Sequence, residues 1–422
     1  MNDQLHNAIQ LIEEGMYEEG LQKLSEISKE ANDDILREIC EIYFELGLVD
    51  KALVLLEDLM FRYPDHGELF VFAAECYSEL GKEDEAVDML TEIHKDDPVF
   101  VQAQLLLADI YQGQGLEEVA EQKLLQAEKV APEEAILLYG IGEFYLDRGE
   151  YQRSIPYFKK VIHDHKLDDS NGLNPALRLA EAFSTSGQFE DALTYYEKGL
   201  KDKEDLDGIF GWGYTALQLG EYDVAIKQFE RLKNLDENYT TVYTYLGKSL
   251  KAKNKLKEAL EILHEGIMKD EYNEELYLEM AKVQFMIGNR EEGKSFLEKV
   301  IAINPSNVSA VKELLLYFHQ IEDYEGLLQL LSFLEEYGEY DPVFERYKGK
   351  ALYEEDDIAK AVIAYENALH DIQEDYELME EAAYVFLEAG HREKAIALLE
   401  KVFATFKDRF DIEERLQQLK ID

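Results

Sequence analysis

A small residue recurs about every 34 residues along the chain, and this recurrence constrains the fold more than any other feature. Counted from Met1, twelve repeats begin after residues 0, 32, 66, 100, 134, 172, 205, 239, 273, 307, 341 and 375. Position 8 of the successive repeats is Ala8, Cys40, Ala74, Ala108, Gly142, Ala180, Gly213, Gly247, Ala281, Leu315, Gly349 and Ala383. Position 20 is Gly20, Ala52, Ala86, Ala120, Ser154, Ala192, Ala225, Ala259, Gly293, Leu327, Ala361 and Ala395. Two columns of mostly small side chains indicate two helices per repeat that cross closely.

Each repeat has the apolar pattern of a helix hairpin. Apolar residues at positions 4, 7, 8 and 11 form one helical stripe, and those at 17, 20, 24 and 27 form a second. Position 15 is glycine in nine repeats, which predicts a left-handed residue at the end of the first helix: Gly15, Gly47, Gly81, Gly115, Gly149, Gly187, Gly220, Gly288 and Gly390. Asn254, which also tolerates this conformation, takes the place of glycine in the eighth repeat. Position 24 is large in every repeat, and we expect it to fill the space beside the small columns.

The pattern resembles the tetratricopeptide repeat. The residues that carry the resemblance include Leu107, Ala108, Tyr111, Gly115, Ala120 and Pro132 in one repeat and Trp212, Gly213, Tyr222, Ala225 and Phe229 in another. The resemblance implies an all-α fold, a right-handed α-solenoid of about twelve helix hairpins. We expect repeats 1–5 over residues 1–166, repeats 6–12 over 167–407 and a capping helix over 408–422.

Two irregularities interrupt the register. The fifth repeat is four residues longer than the usual 34, and the extra residues fall within 163–173, after Pro156. The tenth repeat has leucine at both small positions, Leu315 and Leu327, so its helices must splay or repack around the added volume. A bend in the array is predicted at 163–174 or at repeat ten.

Composition excludes several classes of function. Lys+Arg 43 against Asp+Glu 91 gives a formal net charge of −48, which disfavours nucleic acid and anionic lipid and favours a basic partner, although solubility also explains a high charge. The two cysteines, Cys40 and Cys76, fall at positions that the pattern buries, so a reducing cytoplasmic location is expected. The N-terminus has no signal-peptide pattern, and no apolar run is long enough for membrane insertion.

No residue constellation predicts catalysis, a cofactor or a metal ion. The nine histidines are scattered, and no nucleophile and base motif accompanies them. His163 and His165 lie near Asp168 and Asp169, but the spacing matches no established metal motif, so a solvated connection is expected there. The chain is therefore predicted to be a non-enzyme.

Position 9 provides the candidate binding site. The resemblance implies that first helices line a concave groove and that positions 2, 5, 9, 12 and 13 point into it. Position 9 is acidic in five consecutive repeats and is mostly lysine or apolar later. The predicted partner-binding residues are Glu41, Glu75, Asp109, Glu143 and Glu181, then Phe210 and Tyr214, then Lys248, Lys282 and Lys350. The same column is also consistent with an ordinary exposed helix position, or with repeat duplication.

These residues predict a scaffold or adaptor that holds a protein or peptide segment in a groove. The groove would be acidic toward the N-terminal half and basic-lined toward the C-terminal half, and the partner would carry a basic segment. A regulatory receptor for a short signalling peptide is the alternative, and an enzyme would need a further folded module. Self-association is also open at this point.

Overall fold

The chain folds into α-helices and the connections between them. The computed structural model describes residues 2–164, 173–372 and 374–421, and no strand occurs in this part of the chain. The predicted all-α class is therefore confirmed. Two compact units are present, Met1–Gly211 and Trp212–Asp422, and the boundary falls inside the helix Leu206–Leu219.

Six hairpins occur in the described part of the first unit. Their first helices are α1 (Asn2–Glu13), α3 (Asp33–Glu45), α5 (Gly67–Glu79), α7 (Phe100–Gly113), α9 (Ala135–Asp147) and α11 (Pro175–Thr185). Their second helices are α2 (Tyr17–Ile27), α4 (Val49–Arg62), α6 (Glu83–Thr91), α8 (Glu117–Val130), α10 (Tyr151–Asp164) and α12 (Phe189–Gly199). Each first helix packs on its own second helix, and α4, α6, α8 and α10 also pack on the first helix that follows.

The second unit continues the same alternation. The first helices are α13 (Leu206–Leu219), which spans the boundary, α15 (Thr241–Ala252), α17 (Glu274–Ile287), α19 (Val308–Gln320), α21 (Pro342–Glu354) and α23 (Tyr376–Glu388). The second helices are α14 (Tyr222–Leu235), α16 (Leu256–Lys269), α18 (Arg290–Ile303), α20 (Tyr324–Glu336), α22 (Ile358–Asp371) and α24 (Arg392–Thr405). A last helix, α25 (Phe410–Ile421), packs on α24 and buries Ile412 and Leu416.

The turn inside each hairpin is left-handed at position 15, as the sequence predicted. All nine position-15 glycines have positive φ, between 67° and 90°. The other three repeats have Asn254 at φ 60°, Glu322 at 61° and Asp356 at 61°. A left-handed residue is thus required at this position even where the side chain disfavours it.

The small columns let the position-24 side chain reach the neighbouring backbone. A Cβ added to Gly142 would lie 2.7 Å from Phe158, and one added to Gly349 would lie 2.8 Å from Tyr365. Both aromatic side chains are fully buried. The predicted contact between a large residue at position 24 and a small residue at position 8 is therefore present in these hairpins.

The tenth hairpin differs in its packing. Leu315 and Leu327 are both buried, and α19 and α20 pack less closely than the helices of the neighbouring hairpins α17–α18 and α21–α22. Two leucines in place of small residues hold the helices apart, as expected for added volume.

The predicted division of the repeats after residue 166 remains a prediction. That point and the predicted bend at 163–174 fall largely on residues 165–172, which are outside the described part of the chain. His165, Asp168 and Asp169 are also outside it.

Candidate functional site

The acidic residues of position 9 lie on the first helices of the first unit. We call the surface formed by α3, α5, α7, α9 and α11 the first-helix surface. It carries Glu41 and Asp109, which are exposed, and Glu75, Glu143 and Glu181, which are half-buried. The position-8 residues that precede them in the sequence, such as Ala74 and Ala108, are buried in the hairpin core. Position 9 therefore points away from the core of its own hairpin.

Polar contacts join consecutive first helices along this surface. They are Arg37 Nη1 to Glu68 Oε2 at 3.9 Å, Gln102 Nε2 to Glu75 Oε1 at 3.5 Å, Gln112 Nε2 to Asp147 Oδ2 at 3.5 Å and Arg178 Nε to Glu143 Oε2 at 3.1 Å. Three of the contacts connect positions that the resemblance assigns to the groove, and the fourth is made by Arg178 at position 6. Two residues of the acidic column, Glu75 and Glu143, take part in these contacts between neighbouring first helices.

Arg178 connects two of the predicted residues, and the sequence analysis missed it. Its guanidinium lies 3.1 Å from Glu143 Oε2 and 3.0 Å from Glu181 Oε2, and it also donates a hydrogen bond to the Tyr139 hydroxyl. Arg178 occupies position 6, outside the positions that the resemblance assigns to the groove. The sequence did offer one signal for Arg178, an arginine on a helix whose neighbour carries acidic residues, because opposite charges on adjacent helices attract.

Three carboxylates of this surface have raised pKa values. Burial raises the pKa of Glu75, and it raises the pKa of Asp109 although this side chain reaches solvent. Burial also raises the pKa of Glu143 to about 7, against the opposing effect of Arg178 and with further repulsion from Asp147 and Glu181. A negative charge that has lost hydration gains more from a cationic partner than one in bulk water.

One oxygen of Glu143 has no hydrogen-bond donor. Glu143 Oε2 faces Arg178, whereas Oε1 is buried and has no hydrogen-bond partner within the described residues. A buried carboxylate oxygen in this state costs free energy that a donor can recover.

The lysines of the second unit are paired with carboxylates. Lys248 Nζ lies 2.8 Å from Glu275 Oε1, and Lys350 Nζ lies 2.7 Å from Glu354 Oε1. Lys282 Nζ lies 2.9 Å from Glu279, which also pairs with Lys251. The three lysines lie on first helices, but the neighbouring carboxylates offset much of their positive charge.

Glu279 is the carboxylate at the centre of these pairs. It is only 2% exposed, and burial would raise its pKa, but hydrogen bonds from Lys251 and Lys282 outweigh that effect and lower the pKa. The pKa of Lys248 is also set by two opposing effects: burial lowers it, and the hydrogen bond to Glu275 raises it by more. The pairs of Lys248 with Glu275 and of Lys251 with Glu279 connect α15 to α17, whereas the pair of Lys282 with Glu279 lies within α17.

The predicted aromatic residues lie on either side of the unit boundary. Phe210 belongs to the first unit and is half-buried, whereas Tyr214 belongs to the second and is exposed. The Tyr214 ring packs edge-to-face on Tyr245, with centroids 5.6 Å apart, and Lys248 Nζ lies 4.9 Å from the Tyr245 centroid. Tyr245 was not predicted, since it occupies position 6, as Arg178 does.

Neither a metal-ligand cluster nor a membrane span occurs within the described residues. No group of three or more His, Cys, Asp or Glu side chains in that part of the chain is arranged to hold a metal ion. None of the helices described has the length and apolar character needed to cross a bilayer. Cys40 and Cys76 are buried free thiols.

The chain matches several models of one repeat family. The models are "YpiA-like, tetratricopeptide repeats" over residues 112–165, "Tetratricopeptide repeat" over 176–207, "Tetratricopeptide repeat-like domain" over 206–383 and "Tetratricopeptide repeat protein 21 ARM repeat" over 2–115.

Two proteins similar to this chain differ greatly in their sequence identity with it. TPR repeat-containing protein YpiA of Bacillus subtilis is 38% identical over 420 residues, which covers 100% of this chain and 99% of YpiA. TPR repeat-containing protein MJ1428 of Methanocaldococcus jannaschii is 23% identical and covers 51% of this chain and 41% of its own length.

Solved structures with similarity to the chain share little sequence with it. YrrB, described as a TPR protein with an unusual peptide-binding site, has a TM-score of 0.39 and 20% identity, covering 45% of this chain and 96% of YrrB. The APC/C hetero-tetramer Cut9–Hcn1 has a TM-score of 0.39 and 13% identity, covering 98% of this chain and 88% of the matched chain.

Proposed function

Because the chain belongs to the tetratricopeptide repeat family, we propose that it is a non-catalytic scaffold or adaptor that binds a segment of a partner protein. Proteins of this family generally mediate protein–protein interactions. The binding site is the first-helix surface of the first unit. The observation that carries the proposal is the set of three carboxylates, Glu75, Asp109 and Glu143, whose pKa values are raised by burial although they lie at the protein surface.

The partner segment carries lysine or arginine side chains. Glu75 contacts the neutral amide of Gln102, so its negative charge is not compensated by this contact. Glu143 and Glu181 share the one guanidinium of Arg178. An added cation restores part of the lost hydration energy at these sites, and the long-range field speeds association.

The second unit contributes less electrostatic attraction. Lys248, Lys282 and Lys350 already contact carboxylates, so an acidic part of the partner would compete with existing pairs. Tyr214 and Tyr245 offer aromatic surface beside Lys248. Apolar contact there adds affinity, whereas charge on the first unit sets the orientation of the partner.

The test is capture from a cytoplasmic extract with a salt step and identification by mass spectrometry. The variant Glu75→Gln, Asp109→Asn, Glu143→Gln replaces three carboxylates with amides of nearly the same shape. We expect it to lose about tenfold of the salt-eluted partner signal, because these charges are partly desolvated.

A charge-matched control separates this surface from the net charge of the chain. Glu19→Gln, Asp88→Asn, Glu118→Gln removes the same charge from exposed residues of second helices in the same unit. This control should retain the partners that the wild-type chain captures. Equal capture by the two triple variants would show that the first-helix surface is not the binding site.

A further inference from the structure

The connections between hairpins in the second unit carry unusually exposed aromatic and apolar side chains. The relevant segments are 235–240, 268–273, 303–307 and 337–341, and we call them together the connection edge. Met268 is 76% exposed, Tyr272 74%, Tyr337 61% and Tyr340 60%. Exposed apolar side chains that lie close together on a surface are a common feature of binding sites.

Hydrogen bonds join two of the three successive pairs of segments, and the hairpins that carry the segments pack on one another in sequence. Lys269 Nζ donates to Glu237 Oε2 at 3.0 Å, and Ser306 Oγ donates to Glu339 Oε1 at 2.5 Å. The Tyr340 hydroxyl donates to Asp371 Oδ2 at 2.6 Å, which links the edge to the end of α22. The exposed side chains therefore follow one another along the stack of the second unit.

The charge of the connection edge is strongly negative. Its carboxylates are Asp236, Glu237, Asp270, Glu271, Glu339 and Asp341, and Lys269 is the cation within these four described segments. Aromatic rings interleaved with carboxylates match the chemistry of the arginine side chain, which stacks on a ring and donates to carboxylate oxygens.

The equivalent connections of the first unit have a different composition. They contain Arg62, Lys95 and Lys129 together with Pro64, Pro98 and Pro132. Phe61 is 88% exposed in that region, but it is followed directly by Arg62. In the first unit the exposed rings of Phe61 and Tyr63 flank Arg62, whereas in the second unit no lysine or arginine stands directly beside Tyr272, Tyr337 or Tyr340 in the sequence.

We propose that the connection edge is a second docking surface, which binds an extended, arginine-rich segment of a partner protein. A second copy of this chain does not fit, because the formal net charge of −48 opposes contact with an acidic edge. The surface lies outside the first-helix surface, so the inference does not rest on the function proposed above.

The hairpin spacing sets the spacing of the arginines. Packed helices are about 10 Å apart, and an extended chain advances about 3.3 Å per residue. One hairpin step therefore corresponds to about three residues of the partner. Tyr272 and Tyr337, two hairpins apart, would engage arginines about six residues apart.

The experiment measures binding of a fluorescent peptide of alternating arginine and glycine to the full chain at low salt, by anisotropy. The variant Tyr272→Ser, Tyr337→Ser should bind about tenfold more weakly, since each exposed cation–π contact is worth a few-fold in affinity. Tyr272→Phe, Tyr337→Phe should bind as wild type, because the ring face rather than the hydroxyl makes the contact.

A matched control uses exposed aromatic residues of the first unit. Tyr17→Ser, Phe61→Ser removes similar aromatic area from exposed positions and should change the affinity less than twofold. Wild-type affinity in the Tyr272 and Tyr337 serine variant would overturn the inference. If the Glu75, Asp109, Glu143 triple variant then abolished binding, the peptide would occupy the first-helix surface, and the function proposed above would still stand.

Discussion

The twelve left-handed turns offer a graded test of backbone strain in one protein. Gly288, Asn254, Glu322 and Asp356 occupy the same position of neighbouring hairpins, with φ of 90°, 60°, 61° and 61°. A residue other than glycine, asparagine or aspartate costs about 1–2 kcal/mol in this region. Replacement by glycine relieves that strain but adds about 0.5–1 kcal/mol of chain entropy to the unfolded state.

The expected gain for Glu322→Gly is therefore about 0.5–1 kcal/mol. Asp356→Gly should gain less, because aspartate tolerates the left-handed region better than glutamate does, and Asn254→Gly should be close to neutral. Gly288→Ala should lose about 1 kcal/mol. A Cβ added at Gly288 meets no atom within 4 Å, so its cost comes from the backbone alone.

Hydrogen exchange read by mass spectrometry is the appropriate assay, because stability in repeat proteins is local to neighbouring hairpins. Amides of α19 and α20 should exchange about two- to fivefold more slowly in Glu322→Gly, and those of α17 and α18 about fivefold faster in Gly288→Ala. Faster exchange in Glu322→Gly would refute the reasoning, since glycine entropy would then outweigh backbone strain.

Three further predictions concern buried groups. Burial raises the pKa of Glu143 to about 7, so the charged form of this side chain is disfavoured in the folded state. The free energy of unfolding, measured with urea, should therefore fall by up to about 3 kcal/mol as the pH rises from 4.5 to above 7. The Glu143→Gln variant should lack this loss. Burial raises the pKa of Cys40 and of Cys76 to about 12, so an aromatic disulfide reagent at pH 8 should release colour only after unfolding. Leu315→Ala should cost about 3 kcal/mol in urea unfolding, whereas Leu315→Ala with Leu327→Ala should cost less than the sum of the single changes, because the helices can then close together.

The sequence predicted the features of this fold that recur at a fixed position. The left-handed residue at position 15 and the buried residues at positions 8 and 24 depend on contacts within one hairpin, so a 34-residue register is enough to find them. The positive φ of Glu322 and Asp356 could also have been inferred, since they occupy the same position as the glycines. Their side chains gave no sign of it, because the turn geometry overrides residue preference.

The contacts between hairpins could not be predicted in the same way. Arg178 reaches Glu143 from a helix that follows the longest repeat, and Glu279 lies at position 6, where the register assigns no groove role. A column of residue types indicates which side chains share a face. It does not indicate which partner of the next hairpin each side chain meets, because that depends on the rotation between neighbouring helices.

The same position has different electrostatic surroundings in the two units. In the second unit Lys248 pairs with Glu275 on the next first helix, and Lys282 shares Glu279 with Lys251. The pairs made by Lys248 and Lys251 connect consecutive hairpins, and carboxylates offset the charges of all three lysines. In the first unit the donor to Glu75 is a neutral glutamine amide, which orients the carboxylate and leaves its charge uncompensated.

A neutral donor therefore has two consequences for the first unit. It joins the hairpins with less electrostatic stabilisation than a lysine would provide, and it leaves a desolvated negative charge at the surface. A lysine at Gln102 would pair with Glu75 and lower its raised pKa. The variant Gln102→Lys should consequently strengthen the stacking of α5 on α7 and weaken capture of a basic partner, and the opposite sign of these two effects distinguishes a binding surface from a purely structural one.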